Sequence, residues 1–559
     1  MPIPHPAAKL ATLSSSLSLM SVADSFLLLP LALAVLSAAL WQLWSFCSHL
    51  LHNRLRALPG PPSPSRIFGY AWHFWTTDPT ELHEEWVSRY GRTLQYRILS
   101  YRCLFTMDTK ALGHILVKDD VYQKPRQVRS FVAQMLGNGT VLSEGEQHRR
   151  QKRVVNPAFG SLQIRGFTDL FLSKASQLRD ILSLEVTRHR GVAQVDLYEW
   201  VHRMTLDVIG EAAFSYNIGT LSIDRKPNEL CDAFRMVSQS VTRMSLYPML
   251  RFFFPILRIL PEEQSRRFAK ARKVMAQFAR QLIEEKRREL AEDGGFDSKR
   301  GRHKQGDFLT LVVEANMGAT VPPSQQLSDK TIIDECTTFL PAGHETTAIT
   351  LAWFMYNLAR YPAVQEKLRK ELFSIGTDMP TIEQLSALRY LDNVLREVVR
   401  LHPSLPSSLR MSMEDDMLPL GEPVYINGVA HDRIWVPKGT PIVIPILAIN
   451  RDKALWGEDA FEFRPDRWDA LPEAVSNIPG IWAHNLTFMG GQHACLGFRF
   501  SLNQIKVAVF TLLRAFEFEL AVPVEDIGKS STLLVRPMRV SQPDAGPQLP
   551  MLVRAYRPD

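Results

Sequence analysis

A cysteine in a glycine-rich loop carries the clearest chemistry in this sequence of 559 residues. Cys495 stands in "FMGGQHACLGFRF" (residues 488–500), where Gly490, Gly491 and Gly497 allow tight or left-handed backbone. Apolar residues recur at helical spacing after the last glycine, which places the cysteine at or just before a helix N-terminus. Unpaired N–H groups and the helix dipole there favour a reactive or metal-ligating thiolate. A packed core thiol beside a turn also fits, so the loop alone leaves both interpretations open.

A glutamate followed by two threonines forms a second candidate site, in "FLPAGHETTA" (residues 339–348). Pro341 lacks a backbone donor, Gly343 is a poor helix former, and Thr346 can bond a carbonyl, so a helix is expected to kink or end here. Glu345 and the hydroxyl of Thr346 could relay protons at such a kink. The alternative is a helix end followed by a new, threonine-capped helix. The segment lacks the second histidine of H-E-x-x-H, which disfavours a zinc protease.

A charged pair in an apolar helix is the third candidate. Glu397 and Arg400 are three residues apart in "EVVR" and share one helical face. Exposed pairs at this spacing are common and contribute only ~0.3–0.5 kcal/mol. The neighbouring residues are apolar, however, and a buried pair of this kind needs a further partner. Arg467, in the aromatic coil "FEFRPDRW" (residues 461–468), could be that partner.

Helical periodicity dominates the elements that must position these residues. Apolar residues recur three and four apart in residues 164–181, 274–290, 352–373 and 391–401. Strand-like patterns occupy two regions, 93–107 and 423–449, the second interrupted by the turn sequence "VPKGT". We therefore expect one mainly α domain with a minor β-sheet component.

The N-terminal region predicts a membrane anchor. Residues 26–47 contain no charge, and a helix of that length spans roughly 33 Å, enough for the hydrocarbon core of a bilayer. Arginines follow the segment, whereas Lys9 is the only basic Lys or Arg before it, so the bulk of the chain is expected in the cytosol. A cleaved secretory signal, the alternative, has a shorter apolar core preceded by its charges.

Four consecutive regions follow from this pattern. Residues 1–25 form a tail, residues 26–47 a single transmembrane helix, and residues 48–66 a hinge that contains "LPGPPSPS". Four prolines within eight residues exclude a helix and indicate a stiff connector. Residues 67–559 form the folded domain, which is large for a single domain.

Composition excludes several classes of protein. The chain is 45% hydrophobic and 22% charged, which is typical of globular proteins. Its net charge of +7 comes from 65 basic and 58 acidic residues that are well mixed, and no nucleic-acid-binding motif is present, so no nucleic acid partner is expected. The five cysteines are scattered and form no C-x-x-C pair, which argues against a disulfide framework and a structural zinc site.

The order of these motifs resembles that of the cytochrome P450 family of heme-thiolate monooxygenases. "FMGGQHACLG" resembles the heme-binding loop, which implies that Cys495 is the axial iron ligand of heme b. The other fixed positions of the loop correspond to Phe488, Gly491, His493 and Gly497. Arginine is more usual where His493 stands.

The resemblance also implies roles for residues outside the loop. "AGHETT" resembles the oxygen-activation motif, with Glu345 and Thr346 as the acid–alcohol pair and Gly343 leaving space for dioxygen. Arg410 matches a contact to a heme propionate. The structural Glu-Arg-Arg triad of the family corresponds to Glu397, Arg400 and Arg467. The other propionate is usually held by a tryptophan and an arginine, where this chain has His148 and Lys152.

The implied reaction is insertion of one oxygen atom from O2 into a hydrophobic small molecule, such as a terpenoid or another secondary metabolite. The sequence has no G-x-G-x-x-G turn, so electrons are expected from NADPH through a separate membrane-bound reductase, on the endoplasmic reticulum. "HRRQKR" (residues 148–153) is a candidate docking face for it. Substrate-pocket segments are expected at residues 130–142, 236–249, 404–409 and 530–534. The alternatives are a reductase-independent isomerase or dehydratase, and a non-catalytic heme-binding protein.

Overall fold

Helices make up most of the described chain. The computed structural model describes residues 54–76, 79–99, 101–222, 262–292, 306–317, 326–531 and 533–557, with isolated positions at 37 and between 229 and 260. The α-helices of these residues are α1 (Ala71–Thr76), α2 (Pro79–Tyr90), α3 (Thr109–Val117), α4 (Arg126–Leu136), α5 (Gly145–Val155), α6 (Ser161–Gly166), α7 (Thr168–Arg188), α8 (Leu197–Phe214), α9 (Glu263–Glu292), α10 (Phe308–Met317), α11 (Asp329–Arg360), α12 (Pro362–Phe373), α13 (Ile382–Ala387), α14 (Arg389–Leu401), α15 (Ile446–Asn450), α16 (Lys453–Trp456) and α17 (Phe498–Ala515). The predicted mainly α fold is confirmed.

Two of the predicted helical runs are divided. The run 352–373 separates at Tyr361, because the residue before a proline is disfavoured in the α conformation and α12 begins at Pro362. The run 164–181 separates at Phe167, directly after Gly166, which is a poor helix former. The runs 274–290 and 391–401 lie within α9 and α14.

The minor sheet component occupies parts of both predicted regions, 93–107 and 423–449, and also segments between and after them that were not predicted. The strands are β1 (Thr93–Ile98), β2 (Tyr101–Thr106), β3 (Tyr122–Gln123), β4 (Val192–Asp196), β5 (Ser408–Ser412), β6 (Asp416–Ile426), β7 (Val429–Val436), β8 (Pro441–Ile444), β9 (Phe516–Leu520), β10 (Ile527–Ser531), β11 (Val535–Arg539) and β12 (Pro550–Ala555). One sheet has the order β1-β2-β8-β5-β3, in which β2 and β8 are parallel. The others are β4-β12-β9, β6-β7 and β10-β11.

Helix α11 crosses the main hydrophobic core and contacts α8, α9, α14 and α17. It continues through Pro341, so the alternative of a helix end and a new helix within residues 339–348 was wrong. Most of its side chains between Ile332 and Leu358 are buried. Packing on several faces therefore holds the helix despite the backbone donor that the proline removes.

The predicted N-terminal tail, transmembrane helix and hinge lie partly outside the described residues. The predicted transmembrane segment 26–47 lies there, apart from position 37, and among the residues that the structure describes no helix is long and apolar enough to cross a membrane. The proline-rich segment is docked rather than free. Gln95 N donates to Pro59 O at 2.9 Å, and a Cβ on Gly60 would meet Gln95 O at 1.8 Å. Leu55 and Leu58 are buried, so the folded domain begins before residue 67.

A buried carboxyl ties the segment 130–142 to α11. Glu335 is fully buried and accepts hydrogen bonds from Thr140 N at 3.0 Å and from Thr140 Oγ1 at 2.7 Å. Burial raises the pKa of Glu335 to about 7, against the opposite effect of the Thr140 hydrogen bonds. This pKa is higher in the folded protein than in the unfolded chain. The contribution of Glu335 to the free energy of unfolding is therefore fully present at low pH, and it is lost as the pH rises through the pKa of the folded protein.

We expect Glu335→Gln to flatten the pH dependence of stability. In the unmodified protein this group lowers the free energy of unfolding by about 3 kcal/mol between about pH 4.5 and about pH 7. Denaturant titrations of both proteins across that interval measure the difference. Glu263→Gln, which alters an exposed pair with Arg267, is the control and should leave the slope unchanged. Parallel curves for Glu335→Gln and the unmodified protein would contradict the assignment.

Candidate active site

The cysteine loop closes on itself immediately before α17. Cys495 N donates to Phe488 O at 3.0 Å, and the predicted helix after Gly497 is confirmed as α17. Gly491 has φ +67°, and a Cβ there would meet Leu116 O of α3 at 2.0 Å. Only glycine fits at this close approach, which holds the loop against α3. The cysteine is thus fixed by backbone contacts on both sides.

The Cys495 side chain is exposed at its own surface but surrounded by protein at longer range. This burial raises the pKa of its thiol to about 11, and a hydrogen bond from the Gly497 backbone acts in the opposite direction. A coordinating thiol is deprotonated outright by its metal, so an accessible sulfur on a rigid loop fits an iron ligand.

A group of cations lies beside the loop. Arg410 of β5 is 3% exposed, and within the described chain its guanidinium donates to Ser408 Oγ at 3.0 Å and to Leu409 O at 2.9 Å. Lys124 Nζ lies 3.0 Å from His493 Nδ1 and 3.1 Å from Glu144 Oε1. Burial, with the Arg410 charge, lowers the pKa of Lys124 to about 8.

The two histidines predicted to contact the cofactor are stacked. The rings of His148 and His493 have centroids 4.0 Å apart, and His493 Nε2 lies 2.9 Å from Glu144 Oε2. Burial, followed by neighbouring cations, lowers the pKa of His148 to about 3, so it is neutral at physiological pH. Lys152 Nζ donates to Gln492 O at 2.5 Å. All three departures from the usual family residues, His148, Lys152 and His493, therefore lie at the cysteine loop.

These residues fit a heme with two propionates. The pocket next to the cysteine has a net positive charge. It contains the buried Arg410 guanidinium, which bonds only neutral oxygens within the described chain, and Lys124 beside it. The single carboxylate of Glu144 lies by the histidine pair. The buried Nδ1 of His148 also lacks a hydrogen-bond partner within the described chain. Anionic carboxylates satisfy such groups, because burial of unpaired charge and donors is costly.

A divalent-metal site is the competing interpretation of the same cluster. Ligand atoms of Asp119, His148 and His493 lie within 4.8 Å of one another. Lys124 Nζ, however, is 3.0 Å from His493 Nδ1, and Lys152 lowers the pKa of His148 by its charge. Two ammonium groups beside the cluster would repel a metal cation, so an anionic partner fits better.

The predicted acid–alcohol pair lies in the middle of α11. Thr346 Oγ1 donates to Ala342 O at 2.7 Å, and Ser404 Oγ donates to Thr346 O at 3.0 Å. Thr347 Oγ1 bonds Ser501 Oγ at 3.1 Å, which joins α11 to the helix that follows Cys495. The structure thus brings the threonine, the 404–409 segment and the cysteine helix together.

Glu345 is engaged in a buried ion pair. Arg536 Nε donates to Glu345 Oε1 at 2.7 Å, and Arg536 is 2% exposed. Burial raises the pKa of Glu345, but the cation of Arg536 and nearby histidines more than offset this, and the net pKa is lowered. The carboxylate is ionised at neutral pH.

Gly343 lies where α11 packs against α8. A Cβ at this position would meet Ile209 Cδ1 of α8 at 2.7 Å. The role of Gly343 in leaving space for dioxygen stays a prediction. The glycine allows these two helices to approach closely.

The three residues of the predicted structural triad meet around one carboxylate. Glu397 accepts from Arg400 Nε and Arg467 Nε, both at 2.9 Å. Trp468 Nε1 donates to the same carboxylate at 3.0 Å, and so does Arg464 N. Arg400 also donates to the carbonyls of Asn450 and Ala460, so the triad fastens α14 to the coil before the cysteine loop.

Sequence reasoning missed Lys124, Glu144 and Arg536. Lys124 and Glu144 both contact His493, and Arg536 contacts Glu345. The Lys124–His493 pair is 369 residues apart in the sequence, and the Arg536–Glu345 pair is 191 residues apart. Spacing cannot reveal contacts of that range. The signal available was only that charged residues stand in otherwise apolar surroundings, as Arg536 does in "LLVRPM".

Comparison with known proteins identifies the family. The model of the family described as Cytochrome P450 matches residues 59–541. Cytochrome P450 monooxygenase 205 of Postia placenta is 44% identical over 540 residues, covering 96% of this chain and 99% of that protein. Cytochrome P450 monooxygenase 128 of the same fungus is 44% identical over 508 residues, covering 90% and 93%. Cytochrome P450 monooxygenase claP of Ampulloclitocybe clavipes is 32% identical over 529 residues, covering 92% and 96%. The chain therefore belongs to the cytochrome P450 family of heme-thiolate monooxygenases, whose iron is held by a cysteine.

Proposed function

We propose that this enzyme hydroxylates or similarly oxidises a hydrophobic secondary metabolite, such as a terpenoid, with electrons from NADPH delivered by a separate reductase. The observation that carries the proposal is the junction of α11 with the cysteine helix, where Thr347 bonds Ser501 and Thr346 accepts from Ser404. This junction supports the proposal of an oxygen-activation site on α11 beside the cysteine loop. Membership of the family and its fungal relatives supports the reaction class.

Each site residue has a defined task in this proposal. Bound heme supplies the activation of O2, and thiolate ligation favours O–O cleavage. Cys495 holds the iron, and Arg410, Lys124 and the His148–His493 pair hold the propionates. The hydroxyl of Thr346 positions a proton donor, and to do so it can give up its hydrogen bond to Ala342 O and donate to another acceptor. Glu345 supplies protons from the protein side of α11.

The rival reaction is a reductase-independent rearrangement of a peroxide. Such a reaction consumes no NADPH and needs no proton delivery, so the ionised Glu345 next to Thr346 argues against it. The holoenzyme with a co-expressed fungal reductase should form oxidised product only with NADPH, in a screen of terpenoids. Product formation without NADPH would establish the isomerase or dehydratase. Heme binding without any turnover in either condition would favour a non-catalytic heme protein.

We also propose that the enzyme is anchored in a membrane. Residues 26–47 are proposed to anchor the enzyme in the endoplasmic reticulum, with residues 1–25 as a tail and the domain facing the cytosol. Residues 48–66 then include the docked proline-rich segment next to β1. A variant without residues 1–47 should leave the membrane fraction while keeping the heme spectrum. Full retention in the membrane would locate the attachment elsewhere.

The basic face of α5 is proposed to dock the reductase. Arg149 and Arg153 are exposed, whereas His148 and Gln151 of the same helix are buried, so one charged side of α5 faces solvent. Positive charge near the heme-binding loop attracts an acidic flavin domain and raises the association rate. Lys152, also on α5, contacts the loop directly.

We expect the charge reversal Arg149→Glu with Arg153→Glu to slow reduction of the heme at least tenfold at low salt, because steering of this kind changes association rates by that order. Stopped-flow reduction by the reductase measures the rate. The difference should shrink as salt screens the charges. Arg179→Glu with Arg188→Glu, on α7, is the control with the same charge change. Equal reduction rates for both double variants would contradict the docking face.

A further inference from the structure

Arg536 contacts helix α11 from the C-terminal part of the chain. It lies on β11, paired across the hairpin with Ser530 of β10. The residue before it is fixed at both backbone atoms, because Val535 N donates to Ser404 O at 2.9 Å and Val535 O accepts from Trp353 Nε1 at 3.0 Å. The strand is therefore attached to α11 and to the 404–409 segment. Arg536 enters the core from a rigid position.

The guanidinium makes a side-on contact with the Glu345 carboxylate. Nε and Nη2 of Arg536 lie 2.7 and 2.5 Å from Glu345 Oε1. Arg536 also forms a side-chain hydrogen bond with Tyr198 of α8, whose side chain is buried. The pair is thus enclosed between α8, α11 and β11.

Other titratable groups face Glu345 from the elements packed against it. His202 of α8 and His344 of α11 lie beside it, and their Nε2 atoms are 3.2 Å apart. His344 Nδ1 lies 2.9 Å from Leu340 O, and because a carbonyl oxygen only accepts, Nδ1 carries the hydrogen. The Nε2 atom of the neutral ring is then an acceptor and receives the hydrogen bond from His202 Nε2. Burial lowers the pKa of His344 to about 4, and this residue is therefore neutral at pH 7. Arg536 is accordingly the permanent cation of the cluster.

Removal of this cation would change the state of Glu345. A buried carboxyl without an opposite charge is disfavoured as an anion and takes up a proton instead. The guanidinium also fixes the direction of the carboxylate by two N–H groups, which a point charge cannot do equally well. Both effects act on the group that delivers protons next to Thr346.

We propose that Arg536 is a positioning residue that keeps Glu345 ionised and oriented, and thereby sets the proton supply to Thr346. The proposal rests on the proposed monooxygenase function. An ionised Glu345 takes up a proton from the solvent side and passes it on in each cycle, whereas a carboxyl of raised pKa keeps its proton and passes it on more slowly. Interrupted supply then diverts electrons from NADPH into hydrogen peroxide. Arg536 touches neither substrate nor heme in this role.

The test compares Arg536→Gln and Arg536→Lys in the reductase-supported holoenzyme. Infrared spectroscopy at neutral pH should show for Arg536→Gln a protonated carboxyl band in addition to any in the unmodified protein, such as that of Glu335, and the additional band should vanish in Arg536→Gln/Glu345→Gln. We expect the fraction of NADPH electrons recovered as hydrogen peroxide to rise severalfold. The pH profile of product formation should move to higher pH. Arg536→Lys, which keeps the charge but not the fork, should lie between the two proteins in both readouts.

Matched controls separate this role from a structural one. Arg539→Gln changes another arginine of β11, which pairs with Asp526, and should leave the infrared spectrum and the pH profile unchanged. Should the glutamine variant fail to fold, the lysine variant carries the test through its shifted pH profile. An unshifted profile in the folded variants, without the carboxyl band, would overturn the proposal. Failure of the monooxygenase function itself would show differently, as absent NADPH-dependent product in the unmodified enzyme.

Discussion

Replacing Cys495 with alanine is expected to abolish turnover and to remove the red-shifted Soret band that carbon monoxide gives with a reduced thiolate-ligated heme. The sulfur is the ligand that favours O–O cleavage, and no side chain replaces it in alanine. The backbone hydrogen bond from Cys495 N to Phe488 O survives the change, so the loop should keep its shape. The loss is therefore one of ligation rather than of folding. The reduced, carbon monoxide-bound spectrum of the purified protein measures it.

A second cysteine provides the control for this prediction. Cys336 is a free thiol on α11, 1% exposed, and burial raises its pKa beyond the physiological range. Such a thiol is an inert core residue, and Cys336→Ala should keep the thiolate-type band. A band that persists in Cys495→Ala would disprove ligation by this residue.

The same loop shows how far the sequence alone leads. Glycines and a cysteine before a helical pattern were enough to predict the position of Cys495 at the start of α17, since both depend on neighbouring residues. The contact of Gly491 with Leu116 O of α3 could not be predicted, because it depends on how distant segments pack. Local signals thus locate the candidate ligand, and tertiary packing fixes its loop.

In helix α11, local sequence signals led to a wrong prediction. Pro341 and Gly343 are local signals for a helix end, yet the helix runs from Asp329 to Arg360. Burial on several faces outweighs the missing donor of the proline, and Gly343 allows Ile209 of α8 to approach. Both outcomes depend on which helix packs against which. A single sequence does not contain that information in its spacing.

The polar contacts follow the same division. The (i, i+3) spacing of Glu397 and Arg400 made their pairing predictable, and Arg467 was a candidate partner. The further donors, Trp468 Nε1 and Arg464 N, were not predicted. Arg536 and Lys124 contact Glu345 and His493 from 191 and 369 residues away. No periodic pattern connects such positions. The acid–alcohol pair was therefore visible in the sequence, whereas the cation that governs its charge was not.

The largest expected effect on stability comes from Glu397→Gln. The side chains of Glu397 and Arg400 are fully buried, and Arg467 is 2% exposed. Loss of the carboxylate charge leaves Arg400 with no anionic partner within the described chain, whereas Arg467 keeps Asp459. Breaking a buried pair from one side costs about 3–5 kcal/mol, a large part of the stability of an ordinary domain. We therefore expect little folded holoprotein at physiological temperature.

Denaturant titration of the holoprotein at low temperature measures this loss as a lower midpoint, together with a lower yield of heme-loaded protein. The control is Glu519→Gln, which removes the same charge from an exposed pair with Arg554 and should cost no more than about 1 kcal/mol. Since the triad joins α14 to the coil that leads to Cys495, we expect heme loss and unfolding to coincide in Glu397→Gln. A variant that unfolds at the same midpoint as Glu519→Gln would show that Arg400 is satisfied by its carbonyl partners alone. That result would place the source of stability in the hydrogen bonds of the coil and not in the charge of Glu397.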